Sequence, residues 1–190
     1  MWLFLVTEVM FFGGMFMAYI AYRHAYPHVF AEASQRLNVK MGLTNTIVLI
    51  CSSLTMAMGV HSAALGKKKL LITFLILTLV LGGVFLGIKS IEYHDKYVNH
   101  EIPGHDFQFE GPDGQHATLY FSLYFGLTGL HATHMIIGGV ILLILIVQAS
   151  KNKFSAEWHT PVEMFGLYWH FVDIVWIFLF PLLYLIDLRK

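Results

Sequence analysis

The chain has a single cysteine, Cys51, among its 190 residues, only five prolines, and only 13% charged residues. One thiol excludes an internal disulfide framework and any multi-cysteine metal centre such as a dinuclear copper or zinc site. The 12 basic and 12 acidic residues cancel, so no global field argues for nucleic acid, and none is expected as a partner. What fills the chain is apolar: 57% hydrophobic and 15% aromatic residues, far from the soluble average.

The apolar residues gather in five stretches, at about 1–22, 43–65, 70–91, 117–149 and 162–188. Each is long enough to cross about 30 Å of hydrocarbon. The expected fold class is therefore all-α, a polytopic membrane helical bundle with five transmembrane helices and its termini on opposite sides. The first stretch lacks a basic leading segment and a small-residue cleavage site, and it carries Glu8, so it reads as a retained helix rather than a signal peptide. With no internal repeat and no long linker, residues 1–190 read as one membrane domain.

The connections differ in character. Gly66-Lys67-Lys68-Lys69 and Lys151-Asn152-Lys153 are tight and basic, whereas His94 to His116 is longer and carries Asp95, Glu101, Asp106, Glu110 and Asp113. Both basic turns fall on the N-terminal side, which the positive-inside rule makes cytoplasmic. Arg23, Arg36, Lys40, Lys96, Arg189 and Lys190 count the other way. Thr160-Pro161-Val162-Glu163 reads as a capping box that starts the last helix, with proline at its first position. Gly82, Gly83 and Gly87, and then Gly126, Gly129, Gly138 and Gly139, read as sites of close helix packing.

Ionisable side chains at membrane depth are costly and usually face the bundle interior, a polar cavity or a partner. Glu8, His61, His131, His134, His170 and Asp173 form that set. Glu8, about two turns into the first helix, is either a proton-exchanging or lipid-contacting carboxyl or a structural acid bonded to a neighbouring helix. His131 and His134 share one helical face and could serve a metal or a polar network. Haem ligation would need a second imidazole on another helix, from His61 or His170. Interhelical hydrogen bonding is the favoured reading. His170 and Asp173 stand one turn apart, so an Asp–His contact is expected within the helix or to a neighbour. Trp2 and Trp158 read as interfacial anchors.

These residues also carry a resemblance. Tyr168-Trp169-His170-Phe171-Val172-Asp173-Ile174-Val175-Trp176 closely resembles the final-helix signature of subunit III of the haem-copper cytochrome c oxidases. Thr128-Gly129-Leu130-His131-Ala132-Thr133-His134-Met135-Ile136-Ile137-Gly138-Gly139 resembles that family's paired-histidine helix. Glu8-Val9-Met10-Phe11-Phe12 resembles its buried-glutamate helix, and Lys89-Ser90-Ile91-Glu92-Tyr93 its Lys-x-x-Glu-Tyr helix end. The motifs stand in the family's order and span nearly the whole chain.

The resemblance implies a fold of seven helices in many members, with the first two set apart from the other five by a lipid-filled cleft. This chain, with five helices opening at the family's third, resembles the shorter bacterial forms. Its N-terminus would face the cytoplasm, in a bacterial inner membrane. Near Val147, where some relatives carry an arginine for a lipid phosphate, the chain is apolar.

The resemblance further implies a subunit that is not an enzyme by itself. It has no catalytic residue and no metal site, and haem and copper lie in partner subunits. It would bind subunit I directly, alongside subunit II, smaller subunits and phospholipid. It would sustain the proton uptake coupled to oxygen reduction and protect the complex from inactivation. Glu8 matches the family's carbodiimide-sensitive acid, a reactivity that requires a protonated carboxyl in an apolar setting. His131, His134, His170, Asp173 and Glu92 are expected to form an interhelical polar network.

Relatives with the same fold serve quinol oxidases, and a helper of nitric oxide reductases resembles them. The electron donor is set by other subunits. Two readings of other classes are a di-haem membrane cytochrome, ligated by His131 or His134 with His61 or His170, and a transporter. The absence of a repeat and of paired broken helices argues against the transporter.

Overall fold

The computed structural model describes residues 2–104 and 114–186. Among them are six helices: α1 (Trp2–Ala25), α2 (Pro27–Gln35), α3 (Val39–Ala64), α4 (Lys68–Val98), α5 (Gly114–Ser150) and α6 (Thr160–Tyr184). All but α2 are long and apolar enough to cross a membrane. The fold class is thus the all-α, five-span arrangement expected.

Boundaries departed from hydropathy wherever a polar residue extends a helix. The α3 helix begins at Val39 rather than Leu43 because the Asn38 side chain accepts from the Lys40 and Met41 amides at 3.1 and 3.3 Å, satisfying donors that have no partner inside the helix. The α4 helix runs past Ile91 to Val98 because Lys96 is held by the Arg36 carbonyl and the Glu101 carboxylate. The short α2 was not expected. Pro27 supplies its fixed φ at the helix start, and Val29, Phe30 and Ala33 bury one face. Met1 and residues 187–190, which include Leu188, Arg189 and Lys190, lie outside the described residues, as do Asp106, Glu110 and Asp113.

The expected capping box at Thr160 does not form. His159 is the N-cap, with no side-chain cap bond, and Glu163 turns back to the His159 ring instead, Oε1 to Nε2 at 3.1 Å. At the other end of α6 the last carbonyls lack intrahelical partners. Tyrosines supply donors there: Tyr19 Oη to Leu182 O at 2.7 Å and Tyr120 Oη to Leu183 O at 2.9 Å.

The bundle is a ring in which α3 packs on α4 and α6, and α5 on α4 and α6. Buried positions alternate at spacings of three and four on α3 (Gly42, Asn45, Leu49, Ser52, Met56, Gly59) and on α4 (Leu71, Leu75, Thr78, Gly82, Phe85, Lys89). That is the periodicity of a left-handed helical seam. Trp169 sits at the centre of the ring, its indole donating to Ser52 Oγ at 3.0 Å. Cβ atoms on Gly138 and Gly82 would approach this ring to 2.8 and 3.1 Å, so glycine makes the seat. Gly83 and Gly87 are not packing sites among the described residues, contrary to expectation: added Cβ atoms there would meet none of their atoms within 4 Å. Trp2 and Trp158 are exposed, as anchors should be.

The α1 helix lies outside the ring, with 11% of its apolar window buried against 56% for α6. It touches α2, α5 and α6. Phe4 meets Tyr168 near the start of α6. Lys68 Nζ donates to Ser150 O at 2.7 Å. Trp2 and the two basic turns therefore share one end of the bundle.

Candidate functional site

The polar residues singled out in the sequence occupy four separate places rather than one network. The first joins α1 to α5, where Glu8 Oε2 lies 3.1 Å from His134 Nε2. His134 Nδ1 lies 3.0 Å from the Leu130 carbonyl. A carbonyl only accepts, so the bonding pattern requires a hydrogen on Nδ1. Nε2 then either accepts from a protonated Glu8 or, in an imidazolium, donates to a carboxylate. In both arrangements the pair holds one proton on the Nε2–Oε2 contact and no net charge, the form least costly in hydrocarbon. The Phe12 ring lies tilted against the imidazole with centroids 5.5 Å apart, and Tyr168 Oη donates to His134 O at 2.9 Å.

Beside the pair opens a cavity of about 470 Å³ between α1, α5 and α6, bordered by Phe4, Ile137, Ile141, Pro161 and Tyr168 along with Glu8 and His134. Its walls are apolar except at that pair. This geometry suits acyl chains or another apolar group lying against a carboxyl that shares its proton.

His131, one turn before His134, points into the core instead. Its Nε2 lies 3.1 Å from the Val172 carbonyl and its ring is wedged between Phe85 and Trp176. Nδ1 is buried without a partner, as fits a neutral ring that donates once.

The third place is Lys89 and Glu92, on successive turns of α4. Lys89 Nζ lies 3.0 Å from Glu92 Oε2, 3.1 Å from Tyr124 Oη and 2.7 Å from Tyr184 Oη. Both phenols donate to Glu92 Oε1, at 2.9 and 2.6 Å, and the Trp176 ring lies 5.0 Å from the ammonium. Every polar atom of this buried pair has a partner, which is the condition under which an ion pair survives burial. It ties α4, α5 and α6 together. Glu92 was expected among the histidines and is not; sequence spacing showed Lys89 beside it but not the two tyrosines.

The fourth place is the seam of α3 and α6. The expected His170–Asp173 contact is absent. His170 Nδ1 pairs with Ser53 Oγ at 2.6 Å, while both carboxyl oxygens of Asp173 are buried without a bond among the described residues. Ser53 carried no signal in the sequence, since serine is ordinary in membrane helices. His61 is exposed.

Haem ligation by His134 would require breaking bonds that the fold already uses. His134 has both ring nitrogens engaged, His131 Nε2 holds Val172 and His170 Nδ1 holds Ser53. They also sit in three different places, with no shared opening. Among the described residues no three His, Cys, Asp or Glu side chains gather into a group suited to a metal ion.

A five-span bundle with a half-buried acid–imidazole pair at an apolar cavity defines a multi-pass membrane protein with ionisable groups at depth. The chain matches the cytochrome c oxidase subunit III family over residues 1–187. It is 35% identical to cytochrome c oxidase subunit 3 of Corynebacterium diphtheriae, over 97% of this chain and 85% of that protein. It is 28% identical to a probable quinol oxidase subunit 3 of Staphylococcus saprophyticus, over 98% and 87%. It is 32% identical to cytochrome c oxidase subunit 3 of Hippopotamus amphibius, covering 96% of this chain but 66% of that longer one. The chain belongs to the cytochrome c oxidase subunit III family.

Proposed function

We propose that this chain is the non-catalytic subunit III of a respiratory haem-copper oxidase, docked beside the catalytic subunit I, where it keeps proton uptake supplied during turnover. Haem and copper are carried by the partner subunits, and the electron donor, cytochrome c or quinol, is theirs to select. The protein lies in a bacterial plasma membrane with its N-terminus and both basic turns in the cytoplasm, as the lysines at 67–69, 151 and 153 support.

The observation that carries the role is the Glu8–His134 contact at 3.1 Å beside the apolar cavity. A lone acid there would be a liability in hydrocarbon. Paired with an imidazole whose other nitrogen is anchored to Leu130, it holds one exchangeable proton in fixed geometry and keeps α1 against α5. Residues 1–190 act as one membrane domain in this role, with Lys89, Glu92, His131 and His170 holding helices rather than reacting.

The test is Glu8→Ala and Glu8→Gln in the complete oxidase. Expected are loss of carbodiimide labelling of this subunit in both, and a shorter catalytic lifetime with fewer protons moved per electron in Glu8→Ala. Unchanged labelling, lifetime and proton yield in both variants would overturn the role assigned to Glu8.

A further inference from the structure

We infer that the α3/α6 seam around Asp173 is the docking surface for a transmembrane helix of a neighbouring oxidase subunit, one that presents a hydrogen-bond donor at mid-membrane depth. This rests on the reading of the chain as an oxidase subunit and adds which face meets the partner and by what chemistry.

Asp173 is 3% exposed, and among the described residues neither carboxyl oxygen is within hydrogen-bond geometry of a donor. Ser53, which borders the same cleft, is bonded to His170 Nδ1 at 2.6 Å. Both Asp173 and Ser53 fall at the middle of their helices, roughly 16–21 Å from either end at 1.5 Å per residue. A buried acid left without a donor costs several kcal/mol in general, more in lipid than in water. Acids at such depth are normally paired.

The acid opens onto a cleft of about 260 Å³, bordered by Ser53, His170 and the apolar Leu54, Ile174 and Ile177. These three apolar side chains are 64%, 51% and 44% exposed. Lipid headgroups do not reach the middle of the bilayer, and acyl chains bring no donor. An apolar rim around a central acceptor instead matches a helix whose apolar face carries one Arg, Lys, Asn, Gln or Ser opposite Asp173. The contrast with Glu92 supports the same conclusion, since that acid is fully bonded within the chain and faces its interior.

A photoreactive amino acid at Ile174 in the complete oxidase, irradiated in native membranes, reads the occupant directly. The expected product is an adduct to a transmembrane segment of a different oxidase subunit, with a donor side chain within a turn of the attachment point. In parallel, Asp173→Leu should speed loss of this chain from the detergent-solubilised oxidase by about tenfold, the weight of one desolvated bond to a charged group. Asp173→Asn, which keeps an acceptor, should lose less. The inference needs both results. Adducts only to lipid or to a second copy of this chain, or an Asp173→Leu oxidase that retains the chain like wild type, would overturn it while leaving the subunit reading intact. A purified oxidase lacking this chain altogether would overturn both.

Discussion

Replacing Lys89 by methionine should destabilise the bundle more than removing Lys89 and Glu92 together. The two side chains keep only 5% and 3% exposure, so Lys89→Met leaves a buried carboxylate with no counter-charge and with Oε2 unbonded, only Oε1 keeping its two phenols. Removing one partner of a buried pair costs about 3–5 kcal/mol. Glu92→Leu strands the ammonium and should cost about the same. In the double variant Lys89→Met/Glu92→Leu no charge remains, and the Tyr124 and Tyr184 hydroxyls, 3.4 Å apart, can bond each other. The remaining loss is then about 1–3 kcal/mol, so the two sites couple by about 3 kcal/mol or more. Unfolding of the purified chain in mixed micelles of sodium dodecyl sulfate and a mild detergent reads these values through tryptophan fluorescence, since Trp176 lies against Lys89. Additive costs, with the double variant losing about 6–10 kcal/mol, would refute the picture of a closed, self-satisfied charge pair.

The same unfolding assay separates the glycines. Gly138→Ala pushes a Cβ to 2.8 Å from the Trp169 ring and should cost about 1–3 kcal/mol, whereas Gly83→Ala, with nothing within 4 Å, should be neutral or slightly stabilising. Asn38→Ala removes the acceptor for two amides at the start of α3 and should cost about 1 kcal/mol, visible as faster amide exchange at Lys40 and Met41.

Hydropathy located the spans because lipid selects long apolar stretches, and it placed all five. It could not tell which side of each span faces protein, because in a membrane helix the lipid face and the packed face are both apolar. Gly82 and Gly83 show the difficulty: adjacent in sequence, one seats Trp169 and the other faces outward. The 3–4 alternation on α3 and α4 becomes visible only through small and polar residues such as Asn45, Ser52, Thr78 and Lys89.

The candidate site divides in the same way. Charge at depth marked Glu8, His134 and Asp173 from sequence alone, and the resemblance singled out Glu8. Their partners were harder to find. His134 is 126 positions from Glu8 and meets it only through packing of α1 on α5. Ser53, Tyr124 and Tyr184, which decide whether His170, Lys89 and Glu92 are satisfied, look like ordinary membrane residues until the helices are assembled. The missing capping box at Thr160 has a local cause: His159 offers Glu163 an imidazole within one turn, a partner that the four-residue pattern does not include.

The central claim is that this chain is a stable part of a haem-copper oxidase. Purification in mild detergent through a C-terminal tag on this chain, with the associated proteins identified by mass spectrometry, tests it most directly. A large haem-copper subunit in near-equal amount is expected, with a haem spectrum in the tagged fraction. This chain emerging alone, with no haem-copper subunit beside it, would contradict the account.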